Sequence, residues 1–477
     1  MRNLNLLTDF YQLTMAQGYY KKGKEEKAVF DLFYRRNPCN NGYAIFTGLE
    51  QIIEFIENLN FKEDDIAYLQ EKGFDEEFLN YLKDFTFTGD IYAVPEGSVV
   101  FPKEPLLKVE APILQAQLLE TPLLNFINHQ SLIATKAARI TEAAQGKNVL
   151  EFGLRRAHGP DAGIYGARAA VIGGCSGTSN VLTGKKFGVN VSGTHAHSWI
   201  MSFDSELEAF RTYANNFPDS CILLVDTYDT LESGVPNAIK IFKEMKEKGM
   251  NSDFYGIRLD SGDLAYLSKE ARKMLDEAGF EDAVIIASSS LDENVITSLN
   301  LQGAEIDLYG VGTKLITSHD CPAFGAVYKM SEYNNEPKIK ISDNIEKVTN
   351  PGNKKLIRIY DKKTMNIRAD LIALMNEDIK ENGPITLFDS RDSWKTTTLE
   401  KGSYKLREML KPIFKNGKLI YSSPSVKEIK EYTEKEKDSL GEEYKRLTNP
   451  HIMKVDLSDK LFDLKRRLLN QNNKEIN

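Results

Sequence analysis

Val149-Leu-Glu-Phe-Gly-Leu-Arg-Arg156 is a short apolar run that breaks at a glycine and ends in two arginines. Further along, Val189-Asn-Val-Ser-Gly-Thr-His-Ala-His-Ser198 repeats the plan, with the polar groups again placed after the apolar ones. Between them lies the small-residue segment Ala162-Gly-Ile-Tyr-Gly-Ala-Arg-Ala-Ala170. Strands that alternate with helices around a barrel deliver functional groups in this way, because residues at a strand's exit face a shared cleft while those before them are core. Further apolar runs at Cys221–Val225, Phe254–Leu259, Val284–Ala287 and Ile306–Gly310 also end in polar residues. Helical patterns at Pro236–Lys248 and Leu264–Ala278 separate them. Strand starts recur at intervals near the roughly 30 residues of one β/α unit. Six such strands are fewer than a closed barrel requires, so the expectation is an irregular, open α/β barrel of the TIM-like kind.

The flanks read differently. A helix is expected over 4–23, a strand at Ala28–Tyr34, and helices at Gly48–Asn58 and Asp64–Phe85. Pro95, Gly97, Pro102, Pro105 and Pro112 break Gly89–Pro112 into short strands and turns. Helical patterns follow at Gln115–Glu120 and Leu123–Ala144, interrupted at Pro122. After Tyr328 the chain turns lysine-rich, with a turn at Tyr333–Glu336 and strands expected at Lys338–Ile341 and Leu356–Tyr360. Ser425–Leu447 and Ser458–Leu469 read as charged amphipathic helices, followed by a frayed tail over 470–477. The expected division is an N-terminal α/β domain (1–125), a barrel domain (126–328) and a C-terminal α+β extension (329–477), part of which packs back on the N-terminal domain.

Bulk properties exclude several functions. The 477 residues carry a formal charge of −8, which disfavours a nucleic-acid surface, since phosphate backbones select for basic stripes. No apolar run reaches the ~18 residues of a membrane helix, and the N-terminus has no signal-peptide pattern. Four cysteines without Cys-x-x-Cys spacing suit reduced thiols in the cytoplasm.

Collected at one face, the strand exits supply Arg155 and Arg156; Thr194, His195 and His197; Asp226, Thr227 and Asp229; Arg258 and Asp260 to Asp263; Ser288 to Ser290; and Gly310 to Lys314. Cations, carboxylates and glycine-rich turns together suit a phosphorylated sugar and a divalent metal. Some of these are expected to be ordinary loop residues. His195 and His197 would share a face if their segment were a strand, so a zinc pair is conceivable, yet the chain has only six histidines and offers no nearby third ligand. The other readings are a buried, hydrogen-bonded histidine and a phosphate-accepting imidazole. Gly310-Val-Gly-Thr-Lys314 is not a Walker loop, which needs Gly-Lys-Ser/Thr after a longer turn. Lys314 suits either phosphate charge or a Schiff base.

At this point the residues match a known family. Thr8-Asp-Phe-Tyr-Gln-Leu-Thr14, Glu151-Phe-Gly-Leu-Arg-Arg156, Ser192-Gly-Thr-His-Ala-His197, Leu224-Val-Asp-Thr-Tyr-Asp229, Arg258-Leu-Asp-Ser-Gly-Asp263 and Gly310-Val-Gly-Thr-Lys314 resemble nicotinate phosphoribosyltransferase, in the same order from Leu6 to about Lys329. The resemblance implies conversion of nicotinate and phosphoribosyl pyrophosphate to nicotinate mononucleotide and pyrophosphate, the first step of NAD salvage, coupled to ATP hydrolysis with Mg²⁺. It also implies a homodimer with shared active sites. Carried over by position, His197 would be the phosphorylated histidine. Tyr11 from the partner and Phe152 would sandwich the pyridine ring, while Thr194 and Arg258 would hold nicotinate. Gly312 and Thr313 would take the 5′-phosphate, Arg155 the pyrophosphate, and Asp260 the ribose hydroxyls or a metal-bound water.

Ala287-Ser-Ser-Ser-Leu-Asp292 departs from the Ala-Ser-Asn-Asp-Leu-Asp common in relatives, so a contact that needs an amide or carboxylate there is in doubt. No catalytic role falls to His195, and no metal ligand is assigned. The rival readings are a sister transferase for nicotinamide or quinolinate, a Lys314 Schiff-base aldolase, and a non-catalytic metabolite binder. The common phosphoribosyltransferase motif is not matched, because Asp226-Thr-Tyr-Asp229 has the wrong spacing.

Overall fold

A computed structural model describes residues 3–250, 254–389 and 394–475, which fall into two compact units. The first comprises the chain through Leu132, Ala323–Pro424, and residues from Glu431 onward. Its seven-stranded sheet is antiparallel throughout and centres on Lys27–Tyr34, paired on one side with Leu107–Pro112 and on the other with Ala326–Tyr333. A separate six-stranded sheet is built around Lys354–Asp361 and Ile367–Leu374. Arg358 is fully buried there and is held by Asp370 and Glu436 at 2.7 and 2.9 Å. Such a charge is tolerated only because both carboxylates face it.

Several elements of this unit depart from expectation. The first helix runs only over Phe10–Lys21, preceded by Asp9 in extended conformation. The single helix expected over Asp64–Phe85 is two, Glu63–Glu71 and Glu76–Lys83. Gly73, at φ +87° between them, takes a left-handed turn that no helix interior accommodates. After a short helix at Ile113–Leu118, a long one begins at Glu120, so Pro122 sits in its first turn, where its missing N–H costs nothing. No strand forms at Lys338–Ile341; pairing ends at Glu336–Pro337. Val426–Asp438 stops well short of Leu447, and a separate short turn of helix covers Glu442–Lys445. The last helix, Asp459–Glu475, takes in most of the expected tail.

The second unit, Ile133–Pro322 with Ser425–Lys430, contains the barrel-type strands β1 (Asn148–Glu151), β2 (Gly177–Thr178), β3 (Cys221–Leu224), β4 (Tyr255–Leu259), β5 (Val284–Ala287) and β6 (Leu308–Val311). They form one parallel sheet in the order β2-β1-β6-β5-β4-β3. The architecture is an open α/β half-barrel. The strand expected at Val189–Ser192 is reduced to a single bridge between Thr178 and Val191, with glycines on either side and Val191 42% exposed.

Period-two burial explains why these runs are strands. Leu150, Ile222, Ile286 and Leu308 meet on the inner face, against Phe152. Leu223, Ile257, Leu259 and Ile285 instead pack outward on Ile241, Phe242 and Leu275 of the covering helices Val235–Glu247 and Leu264–Glu277. Burial on both faces requires continuous apolar runs rather than alternation. Arg258 sits between the outward-facing Ile257 and Leu259, so the same alternation sends it inward, at the C-terminal mouth. Phe152, Arg258, Asp260 and Ser288 stand at or just past that end of a strand.

Candidate active site

The turn after β1 carries the first group of side chains. Glu151 is buried, one carboxylate oxygen accepting the Gly153 N–H and the other the Thr178 hydroxyl, at 2.6 Å. Burial raises its pKa, while these two donors oppose the shift. Glu151 thereby ties β1 to β2 and fixes the turn in which Phe152 and Arg155 leave the sheet. Gly310 and Gly312 of β6 and its exit make that placement possible. A Cβ on Gly310 would lie 2.7 Å from the Phe152 ring, and one on Gly312 would lie 2.9 Å from the Phe152 carbonyl.

Phe152 supports Arg258, whose guanidinium carbon lies 5.7 Å from the ring centroid. Arg258 is held on three sides: Nε donates to the Ser288 hydroxyl at 2.8 Å, Nη1 to the Thr194 hydroxyl at 3.1 Å, and Nη2 to Asp260 Oδ1 at 2.9 Å. A guanidinium has five N–H donors in a fixed plane, so each Nη keeps one for a ligand. Asp260 is fixed in turn by its backbone N–H, which donates to Asp226 Oδ2 at 2.9 Å; the Ser261 hydroxyl meets the same oxygen at 2.6 Å. The second Asp260 oxygen lies 3.8 Å from His197 Nε2. His197 Nδ1 is 3.1 Å from the Thr227 hydroxyl.

Phe152, Arg155, Thr194, His197, Arg258 and Asp260 line one cleft of about 400 Å³. That volume suits a small ligand. Arg155 stands exposed on the short helical turn Leu154–Arg156. Gly312 and Thr313 leave the neighbouring strand β6, Thr313 opening the single helical turn Thr313–Ile316 with its side chain exposed. Tyr11 belongs to the other unit, on helix Phe10–Lys21, and is 48% exposed.

Other polar exits have structural partners. Asp229, Asp263 and Asp292 accept backbone N–H groups at the starts of the following helices, as N-cap residues do. Lys314 is ion-paired with Asp292. Burial alone would raise the Asp292 pKa, but Lys314 and the Val295 N–H hold it below the usual range. The two histidines do not share a face. His197 opens the helix His197–Met201, whereas His195 is buried, accepts the Leu224 N–H at Nε2 and packs edge-on against Tyr213 at 4.7 Å. Burial pushes its pKa down to about 4, so it is neutral at pH 7. No group of three or more metal-ligating side chains occurs among the described residues. Sequence reasoning named Ser288, Thr227 and Asp226 only as polar exits and gave them no role; their signal was position directly after an apolar strand. Glu151 was read as part of a motif, with no role at all.

Three family models match the chain in order. The nicotinate phosphoribosyltransferase N-terminal domain matches residues 6–128, the nicotinate phosphoribosyltransferase family 148–370, and the C-terminal domain 353–465. A nicotinate phosphoribosyltransferase of Bacillus subtilis is 48% identical over 475 residues, covering 98% of this chain and 96% of that protein. The chain belongs to the nicotinate phosphoribosyltransferase family. A Caenorhabditis elegans protein of the same name is 38% identical, over 98% of this chain and 93% of its own. The crystal structure of human nicotinic acid phosphoribosyltransferase superposes with a TM-score of 0.86 at 30% identity, covering 97% of this chain and 99% of that one. Nicotinate phosphoribosyltransferase family membership thus extends across both compact units.

Proposed function

We propose that the protein transfers the phosphoribosyl group of phosphoribosyl pyrophosphate to the ring nitrogen of nicotinate, releasing pyrophosphate, with ATP hydrolysis coupled through phosphorylation of His197. The observation that carries the reading is Arg258, locked over the Phe152 ring by Thr194, Ser288 and Asp260, with one N–H free on each Nη. A flat aromatic carboxylate fits that pair of surfaces, the ring on Phe152 and the carboxylate on the guanidinium.

The pyridine nitrogen is already nucleophilic, so the site needs no general base. Its task is positioning and charge. As the bond from ribose C1 to pyrophosphate breaks, positive charge builds on the sugar and negative charge on the leaving group. In this reading, which the family resemblance supports, Asp260 holds the ribose hydroxyls, Arg155 takes the pyrophosphate, and Gly312 with Thr313 take the 5′-phosphate. One Asp226 oxygen is buried without a protein donor. A carboxylate oxygen joined by substrate phosphates is the donor set Mg²⁺ accepts, and Mg²⁺ bound there would neutralise the leaving pyrophosphate. Phosphate on His197 would add about two negative charges beside Asp260 and change the site's affinity for anions.

The family resemblance further supports a homodimer in which Tyr11 of a second copy covers the pyridine ring, and a cytoplasmic setting with small molecules as the only partners. No helix among the described residues is long and apolar enough to cross a membrane. The test incubates the protein with nicotinate, phosphoribosyl pyrophosphate and Mg²⁺, with and without ATP, following mononucleotide and ADP together. Matched product and ADP support the reading. Product indifferent to ATP removes the phosphohistidine, and no product removes the transferase.

A further inference from the structure

Ser288 stands at the end of β5 with its side chain buried, 3% exposed, among charged groups of the cleft. Its hydroxyl does two things at once. It accepts Arg258 Nε at 2.8 Å and lies in short hydrogen-bond contact with Asp260 Oδ1, the oxygen that also receives Arg258 Nη2 at 2.9 Å. The hydroxyl has one proton to give. The Leu259 carbonyl is 3.4 Å away, so the nearer carboxylate takes it, charge-assisted hydrogen bonds being shorter and stronger than neutral ones.

We infer that Ser288 is a positioning residue that couples the nicotinate-binding Arg258 to the Asp260–His197 pair. With Oδ1 engaged by Ser288 and Arg258, and its backbone N–H fixed by Asp226, Asp260 has little rotational freedom. Its other oxygen is thereby turned toward His197 Nε2, at 3.8 Å. The same hydroxyl fixes the plane of the guanidinium by engaging Nε, the donor that sets ring-plane orientation over Phe152. A ligand carboxylate that pulls on Arg258 therefore acts on Asp260 through two routes, the direct Nη2 contact and Ser288. Removing the hydroxyl leaves Arg258 Nε without its acceptor and frees Asp260 to rotate. Both the grip on nicotinate and the match between ATP spent and product formed then loosen.

This inference rests on the proposed function, and the test separates the two. Steady-state kinetics of the intact protein, Ser288→Ala and Ser288→Thr would be measured with nicotinate varied, recording the ratio of ADP to mononucleotide. The expected result for Ser288→Ala is a nicotinate KM raised about tenfold, as loss of one hydrogen bond to a charged group predicts. The ADP ratio would rise above that of the unmodified chain, with kcat falling less than KM rises. Ser288→Thr, which keeps the hydroxyl, would restore both. An unchanged KM and ratio in Ser288→Ala overturns the inference. So does a fall in kcat alone, or a Ser288→Thr enzyme as impaired as Ser288→Ala. If Ser288→Ala is not folded by circular dichroism, Ser288→Cys is judged by the same criteria. If the unmodified chain transfers nothing to nicotinate, the proposed function fails and this inference falls with it.

Discussion

Nδ1 of His197 lies 3.1 Å from the hydroxyl of Thr227, while Nε2 of the same ring faces Asp260 at 3.8 Å. One nitrogen is thus anchored within the protein and the other is turned to the cleft, at a distance too long for a direct hydrogen bond. An anchored Nδ1 fixes the ring and leaves Nε2 as the nitrogen open to the phosphorylation proposed above. With labelled ATP, the intact protein is expected to acquire acid-labile, base-stable phosphate, and His197→Asn to acquire none. Thr227→Val, which keeps the shape and deletes the anchor, should slow phosphorylation about tenfold. Retention of full ATP-stimulated turnover by His197→Asn would remove the histidine from the mechanism.

Arg258 makes a separate prediction, because its three donor directions meet three different side chains. An ammonium has no plane and cannot reproduce that fork. Arg258→Lys should therefore raise the nicotinate KM by about a hundredfold despite the conserved charge. Competition with nicotinamide reads the same contact, since the free N–H groups select for the carboxylate. A nicotinamide turnover equal to that of nicotinate would move the protein to a sister substrate.

Much of this site was legible because polar residues after an apolar strand have one place to go. That logic brought Arg155, Thr194, His197, Arg258 and Asp260 to one cleft, to which the family resemblance added Phe152. It failed where the exit residue serves the next helix instead: Asp229 and Asp263 cap helices, and an acid after a strand looks the same in sequence whether it meets a ligand or a backbone N–H. It failed also for Val189–Ser192, where apolar content suggested a strand that flanking glycines reduce to a single bridge. Whether two histidines share a face depends on that backbone, and here a helix begins between them. The helix expected over Asp64–Phe85 is divided for a smaller reason: Gly73 lies inside the pattern, and its positive φ ends the first helix.

Gly310 is predicted to admit no side chain. A Cβ there would sit 2.7 and 2.8 Å from two Phe152 ring carbons, closer than real contacts allow. Phe152 is the support for Arg258, so it has nowhere to move without disturbing the site. Gly310→Ala should cost about 1–3 kcal/mol of stability, as overpacking does, and should lower kcat/KM for nicotinate more than tenfold by displacing the ring. Wild-type kinetics in Gly310→Ala would show that Phe152 is not fixed by this contact.

Ser289 and Ser290 both adopt positive φ, +85° and +50°. Asparagine and aspartate tolerate the left-handed region better than serine does, and glycine tolerates it best. Two consecutive serines in this region therefore carry backbone strain. Ser289→Gly should leave the fold intact and raise stability in chemical denaturation by up to about 1 kcal/mol, offset in part by the greater freedom of glycine when unfolded. Destabilisation beyond that figure would mean the Ser289 side chain makes contacts that outweigh the strain.

His195 predicts the acid limb of stability. Its folded pKa is depressed to about 4 by burial, below the ordinary value of about 6.5. A depressed folded pKa means the unfolded chain binds the proton more readily. The stabilisation is therefore complete above pH 6.5, and it is lost as the pH falls from there toward 4. The amount at stake is on the order of 3 kcal/mol. Chemical denaturation of the intact protein between pH 7 and pH 4.5 should show a steady fall in midpoint. His195→Gln has no proton to bind in that range, so it should start from a lower midpoint at pH 7 and show a flatter descent. Parallel descents for the two proteins would place the acid sensitivity elsewhere in the chain and leave His195 as a packing residue only.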